Sequence, residues 1–192
     1  STGTPIIYHI VRCELCIAIH AWPLPSKEGL KTFYQEKFYQ VEKADMVARY
    51  ERDRLWWEHC TYEPLIEACG ENARIGKRIL DIGAGFGIVL DVARKRGMYT
   101  YGIEPSEQQC SALRFRGHTM LCGTLDDVGS YDEVNGFSGF DVVMAYETLE
   151  HSPEPEAFLF RCFELLNPGG LLAACVPKDF KQVPRRGGIE LG

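Results

Sequence analysis

The run Arg78-Ile79-Leu80-Asp81-Ile82-Gly83-Ala84-Gly85-Phe86-Gly87-Ile88 decides the reading of this chain. A mostly apolar strand breaks into alternating glycines, and a helical pattern follows at once. Ile88, Val89, Val92 and Ala93 recur at i, i+1, i+4 and i+5 while Asp91, Arg94 and Lys95 face elsewhere, and Gly97 stops the helix. Glycines at such a bend permit positive φ and a close backbone approach to a ligand. Next, Met98 to Ile103 reads as a second strand ending on Glu104, a carboxylate set to accept both hydroxyls of a ribose. Strand, glycine turn, helix, strand and acid together outline a pocket for an adenosine-containing cofactor.

Glycine spacing selects which one. The dinucleotide fingerprint G-x-G-x-x-G would put its third glycine at Ile88, whereas here it stands at Gly87, and Asp81 leads into the turn. A pyrophosphate needs backbone N–H groups at a helix N-terminus and gains nothing from an adjacent carboxylate. S-adenosylmethionine fits better: it has no phosphate, and Asp81 can hold its α-ammonium directly or through water. A nicotinamide-dependent oxidoreductase is therefore disfavoured.

The chain resembles the class I S-adenosylmethionine-dependent methyltransferases at four motifs in order. Asp81 to Gly87 is similar to their first motif, and Gly102-Ile103-Glu104-Pro105-Ser106 to the ribose-binding turn. Phe140 to His151, with its Leu149-Glu150-His151 ending, is similar to the fourth strand and its loop, and Leu165 to Leu172 to the turn entering the fifth. The resemblance implies an α/β, Rossmann-like fold: a mostly parallel sheet of about five strands with flanking helices, preceded by a helical N-terminal segment. It also implies cofactor contacts at Asp81, Gly83, Ala84, Gly85, Gly87, Glu104, Pro105, Thr124, Leu125, Ala145, Tyr146 and Glu147. Thr124 departs from the pattern, since most relatives carry Asp there.

Methyl transfer requires in-line alignment of nucleophile, methyl carbon and sulfur, and removal of a proton from a hydroxyl or activated carbon. His151 is the candidate catalytic base, because an imidazole titrates near neutral pH and it follows the end of a strand where α/β sheets place ligands; Glu150 can orient it. An equal alternative makes His151 a cap at the helix entry before Pro153 and Pro155. Glu147 shapes the pocket or acts in it.

Around these motifs, Ser106-Glu107-Gln108-Gln109 is a capping box that starts a helix just after Glu104. A short third strand ends near Leu121 to Asp126; the resemblance places Asp126 by the adenine, and a solvated turn for Asp126 and Asp127 is the alternative. Residues 27–72 read as helical, with Leu30, Phe33, Tyr34, Phe38 and Tyr39 at helical spacing. The resemblance lets Tyr34 or Tyr39 reach the cofactor; core packing is the competing account. After a helix over 156–166 and a fifth strand over 171–176, a complete sheet of this class adds two more strands. Without them the fifth strand is an exposed edge, so a fragment truncated at both ends is expected.

With 192 residues, 45% of them hydrophobic, the chain can bury one domain core and a small accessory element. A net charge of −6 argues against an electrostatic grip on nucleic acid. Lys178, Lys181, Arg185 and Arg186 read as a solvated loop. No apolar stretch is long enough to span a membrane and no signal peptide is visible, so a cytoplasmic location and a small-molecule acceptor follow. Of eight cysteines, six are scattered and read as free thiols. Cys13-Glu14-Leu15-Cys16 differs, having the C-x-x-C spacing of a knuckle that holds two corners of a tetrahedral zinc site, which two thiolates alone do not close.

With Pro23-Leu24-Pro25-Ser26, Leu30 and Phe33-Tyr34, the cysteine pair is similar to the second half of the N-terminal zinc ribbon found in methyltransferases acting on sugars and glycans. Metal binding is not expected in this chain, because the other knuckle is missing. The expected division is a zinc-ribbon-like remnant over 1–26, a helical cap over 27–72, the cofactor-binding domain over 73–180 and a tail over 181–192. The implied activity is methyl transfer to a small molecule such as a sugar or glycan precursor; the alternative is a cofactor-binding fragment without turnover. Oligomeric state is not legible.

Overall fold

The computed structural model describes residues 9–12, 19–23, 25–36, 38, 44–130 and 136–177. Strands β1 (His9–Arg12) and β2 (Ile19–Trp22) pair antiparallel, with His9 opposite Trp22. Cys13 and Cys16 fall between them, outside the described residues, as does Tyr39. Helix α1 (Lys27–Glu36) follows, and none of its residues is buried. Helix α2 (Ala44–Trp57) runs into one wide π-turn (Glu58–Tyr62) and then α3 (Glu63–Ala68). Among the described residues the expected helical segment is thus several pieces, which reach the core through Tyr62 and Ile66, with Tyr50 and Trp57 of α2 packed against it.

From there the chain alternates strand and helix: β3 (Arg78–Ile82), α4 (Ile88–Lys95), β4 (Tyr99–Glu104), α5 (Glu107–Phe115) and β5 (Thr119–Cys122). Strand β6 (Phe140–Tyr146), α6 (Pro155–Leu165) and β7 (Leu166–Cys175) complete the described elements. The sheet order is β5-β4-β3-β6-β7 and every neighbouring pair is parallel. This is the five-strand Rossmann-like sheet the motifs imply.

Alternation along β3 explains the two layers. Ile79 packs with Val142, Met144, Val89 and Val92 on one face, while Leu80 and Ile82 pack with Ile103, Leu121, Val143 and Leu165 on the other. A strand buried on both faces loses its polar alternation, which is why Arg78 to Ile82 reads as a near-continuous apolar run. Fully burying each such side chain is worth about 1.5–3 kcal/mol. Asp81 is the exception, a carboxyl on the face shared with Ile79 and only 3% exposed.

Two local expectations change. The fifth strand begins at Leu166 rather than 171, because Leu166 pairs with Phe140 before a register shift carries the pairing to Val142 and Leu171. The Asn167-Pro168-Gly169-Gly170 turn is the looped-out excursion between those pairs. The capping box is also half used. Ser106 accepts the Gln109 N–H at 3.4 Å, but its own N–H donates to Glu104 Oε1 at 2.9 Å, the bond expected from the Gln109 side chain.

Candidate functional site

The strand order reverses at β3: β4 and β5 lie on one side of it and β6 and β7 on the other. At such a point the helices leave toward opposite faces and a crevice opens beyond the carboxyl ends of the strands. A cavity of about 400 Å³ lies there. Its floor is Ile82 and Gly83 from β3, Ile103 to Pro105 from β4, Gly123 to Asp127 after β5, and Glu147 and Thr148 after β6. Its roof is α1, with Lys27, Lys31 and Tyr34, and then Phe38. One wall is His151 to Glu154 with Phe158.

The glycine turn is shaped by its own amides. Gly83 and Ala84 donate to Ile103 O at 2.8 and 3.0 Å, Gly87 donates to Ala84 O at 2.7 Å, and Gly85 donates to Glu104 Oε2 at 2.9 Å. Two positions admit only glycine. Gly83 has φ +75°, and a Cβ there would lie 2.5 Å from Thr148 Oγ1, whose hydroxyl donates to Ile82 O at 2.9 Å. Gly87 has φ +69°, and its Cβ would lie 2.1 Å from Leu113 Cδ2.

Glu104 is 2% exposed and carries two backbone bonds, from Gly85 and Ser106. Asp81 lies close by. Burial first, and then the charge of Glu104, push its carboxyl up to about 8. Both causes favour the protonated acid, and the second of them, the negative charge of Glu104, also favours a bound cation.

On the opposite side of the floor, Asp127 accepts the Thr124 N–H at 2.8 Å and the Thr124 hydroxyl at 3.0 Å. The Thr124 backbone bond holds the Asp127 carboxyl below its ordinary value. The paired acids therefore do different things. Asp127 pins the turn, whereas Asp126 is exposed and pairs with Lys27.

Tyr34 stands under the roof with its ring 5.7 Å from that of His151. Burial, then the charges of Glu150 and Glu104, push its phenol up to about 12, so it stays neutral. His151 is half-exposed, and its Nε2 lies 3.9 Å from Glu150 Oε1. Its backbone N–H closes the short turn by donating to Thr148 O at 3.0 Å. Glu147 is a non-glycine residue at φ +50°, a conformation that costs energy and marks functional sites more often than chance.

Of the residues expected to touch a cofactor, Gly83, Glu104, Pro105, Thr124, Leu125 and Glu147 line the cavity, as does His151. Asp81, Ala84, Gly85, Gly87, Ala145 and Tyr146 do not. Ala145 is wholly buried in β6, and Tyr146 turns toward Tyr62, with ring centroids 5.1 Å apart. Gly85 stands behind Glu104, whose carboxylate its amide supports. Sequence reasoning missed Lys27, Lys31, Thr148 and Phe158. Thr148 had a usable signal, being a hydroxyl two residues past a strand end; the lysines had none.

Among the described residues no helix is long and apolar enough to cross a membrane, and no cluster of His, Cys, Asp or Glu could hold a metal ion.

Residues 50–188 match the protein family described as "Methyltransferase domain". One curated relative is the ubiquinone biosynthesis O-methyltransferase of Bradyrhizobium sp. (strain ORS 278), 33% identical over 107 residues that cover 53% of this chain and 40% of that protein. The chain thus spans about two fifths of that relative's length. Among solved structures, magnesium protoporphyrin IX methyltransferase from Synechocystis PCC 6803 with bound SAM aligns at TM-score 0.57 and 18% identity, covering 72% of each chain. A Haloferax volcanii methyltransferase in complex with the Trm112 methyltransferase activator aligns at TM-score 0.55 and 22% identity, covering 70% of this chain and 58% of that one. At such identities these two structures speak for the fold.

Proposed function

Since the chain belongs to the methyltransferase-domain family, we propose that it binds S-adenosylmethionine in the cavity above β3 and moves the methyl group to a small-molecule acceptor. The observation that carries this is the pairing of Glu104, fixed by Gly85 and Ser106 at the cavity floor, with Asp81 behind it, a buried carboxyl that no cation among the described residues compensates. A ligand with ribose hydroxyls and an ammonium a few ångströms apart satisfies both.

When bound, this cofactor supplies a methyl group already activated by its sulfonium. Glu104 holds the ribose, Asp81, set behind the cavity lining, reaches the ammonium through water, and Leu125 and Pro105 give the adenine an apolar seat. Thr124 orders the turn through Asp127. Tyr34, neutral and under the roof, excludes water, and His151 at the wall takes the acceptor's proton with Glu150 beside it. His151 as a purely structural turn residue is the competing account; a His151→Gln variant that keeps cofactor affinity and loses turnover separates the two.

The narrower acceptor reading, a sugar or glycan precursor, rests on Cys13, Cys16 and the Pro23 to Leu30 segment. The curated relative is named for ubiquinone biosynthesis, so a phenolic acceptor competes with it. A methylation screen of sugar nucleotides against polyprenyl phenols decides between them. Division at 26, 72 and 180, a cytoplasmic location and the half zinc site belong to the same proposal.

Calorimetric titration with S-adenosylhomocysteine, beside Glu104→Ala and an NADH control, tests the cofactor reading. Micromolar affinity that is lost in the variant, with no response to NADH, is expected. A response to NADH alone would replace the methyltransferase reading with the oxidoreductase one. Cofactor affinity without turnover on any acceptor, restored in a longer chain, would select the binding-fragment reading.

A further inference from the structure

Behind the glycine turn, away from the cavity, lies a charged network that the cofactor reading does not use. Asp91, on α4, accepts from three cationic or polar side chains. His118 Nε2 lies 2.9 Å from Asp91 Oδ1, and Arg54 and Arg116 both bond Asp91 Oδ2. His118 is 4% exposed, and its other ring nitrogen lies 2.8 Å from Thr100 Oγ1. Burial pushes the Asp91 carboxyl up, but the His118 bond, the Arg116 charge and Arg54 outweigh it and hold the acid below its ordinary value.

Arg116 does more than neutralise. It sits just past the end of α5, and its guanidinium forks: Nη1 donates to Asp91 and Nη2 donates to the backbone carbonyl of Phe86, between Gly85 and Gly87. The same Nη2 would lie 3.0 Å from a Cβ at Gly87. On the other side of the turn, the Tyr50 ring lies 4.7 Å from the Phe86 ring. The turn's amides fold inward onto Ile103, Ala84 and Glu104, so Arg116 grips it from the outside. Charge-assisted bonds of this kind are short and directional, and a planar fork fixes the geometry of two at once.

We propose that Arg116 is a positioning residue for the cofactor turn: anchored on Asp91, it holds the Phe86 carbonyl away from the cavity and keeps Gly85 under Glu104. The proposal rests on the cofactor reading for its consequence in affinity, and on the turn's geometry alone for its consequence in motion.

The test compares the parent chain with Arg116→Met, Arg116→Lys and Arg54→Met. Arg54→Met removes another guanidinium from the same carboxylate without touching the turn. Three quantities are read: S-adenosylhomocysteine affinity, melting temperature, and deuterium exchange of a peptide spanning residues 83–90. Arg116→Met is expected to weaken affinity at least about tenfold and to speed exchange in that peptide. Arg116→Lys falls between, and Arg54→Met stays within about twofold of the parent, although both Met variants melt similarly. Affinity and exchange unchanged in Arg116→Met, or losses in both Met variants that merely track melting temperature, would overturn it. If the parent does not bind S-adenosylhomocysteine, the cofactor reading fails, and the exchange data alone then decide whether Arg116 holds the turn.

Discussion

The floor and the roof of the cavity are held by opposite means. The floor is held by hydrogen bonds to carboxylates: buried Glu104 fixes Gly85 and Ser106, and part-exposed Asp127 fixes Thr124. Bonds to charged groups contribute about 1.5–3 kcal/mol each, and removing a partner leaves a buried donor unsatisfied. The roof, α1, has no fully buried residue, and Tyr34 is only half-buried beneath it. It is tied down by Lys27 to Asp126 and Glu154, and by Lys31 to Asp127, through side chains 36–69% exposed. Exposed pairs of this kind contribute little and are screened by salt. A rigid floor under a cheaply lifted roof suits a ligand that must enter, be gripped and leave.

The comparison breaks first at Glu104. Replacing it with Ala removes a ribose acceptor and orphans two amides at once, so S-adenosylhomocysteine affinity should fall at least about 100-fold in titration, with a lower melting temperature. Next is Gly87→Ala, where a Cβ 2.1 Å from Leu113 at positive φ should cost about 2–4 kcal/mol in denaturant unfolding. An unchanged midpoint would show that the floor is softer than its bonds imply.

Asp81 sharpens the comparison through pH. An unfolded Asp titrates near 3.9. The folded group, raised to about 8, therefore holds a proton that the unfolded chain has lost, and the ligand-free protein loses stability as pH rises between those values. Asp81→Asn should melt several degrees higher than the parent at pH 8 and equally at pH 4, yet bind the cofactor more weakly. In the parent, ligand uptake near pH 7 should release a proton, visible as a heat that depends on the buffer's ionisation enthalpy. The smallest effect belongs to the roof: Lys27→Ala with Lys31→Ala should leave affinity within about threefold while speeding release in stopped-flow. A loss as large as that of Glu104→Ala would abolish the distinction between the two walls.

Much of the floor was legible because its logic is local. A strand, a turn that needs positive φ and an acid at the next strand end are written within Arg78 to Glu104, and Gly83 and Glu104 stand where that logic puts them. The start of β7 was not, since Leu166 joins the sheet through a pairing with Phe140 that no periodicity encodes. Nor was the Asp91 cluster, which gathers Arg54 from α2 and Arg116 and His118 from the short connection between α5 and β5. Lys27 and Lys31 read as ordinary solvated charges, because their partners lie 99 and 96 residues away.

The reversal of strand order at β3 also divides labour along the gene. The floor residues contributed by β3, β4 and the turn after β5 come from 82–127, and the rest of the floor with the wall comes from 147–158. Recombination in the segment between Asp127 and Phe140 would therefore exchange one half of the cavity for another while leaving the first intact. A fold so partitioned can change what it modifies without relearning how to hold its reagent.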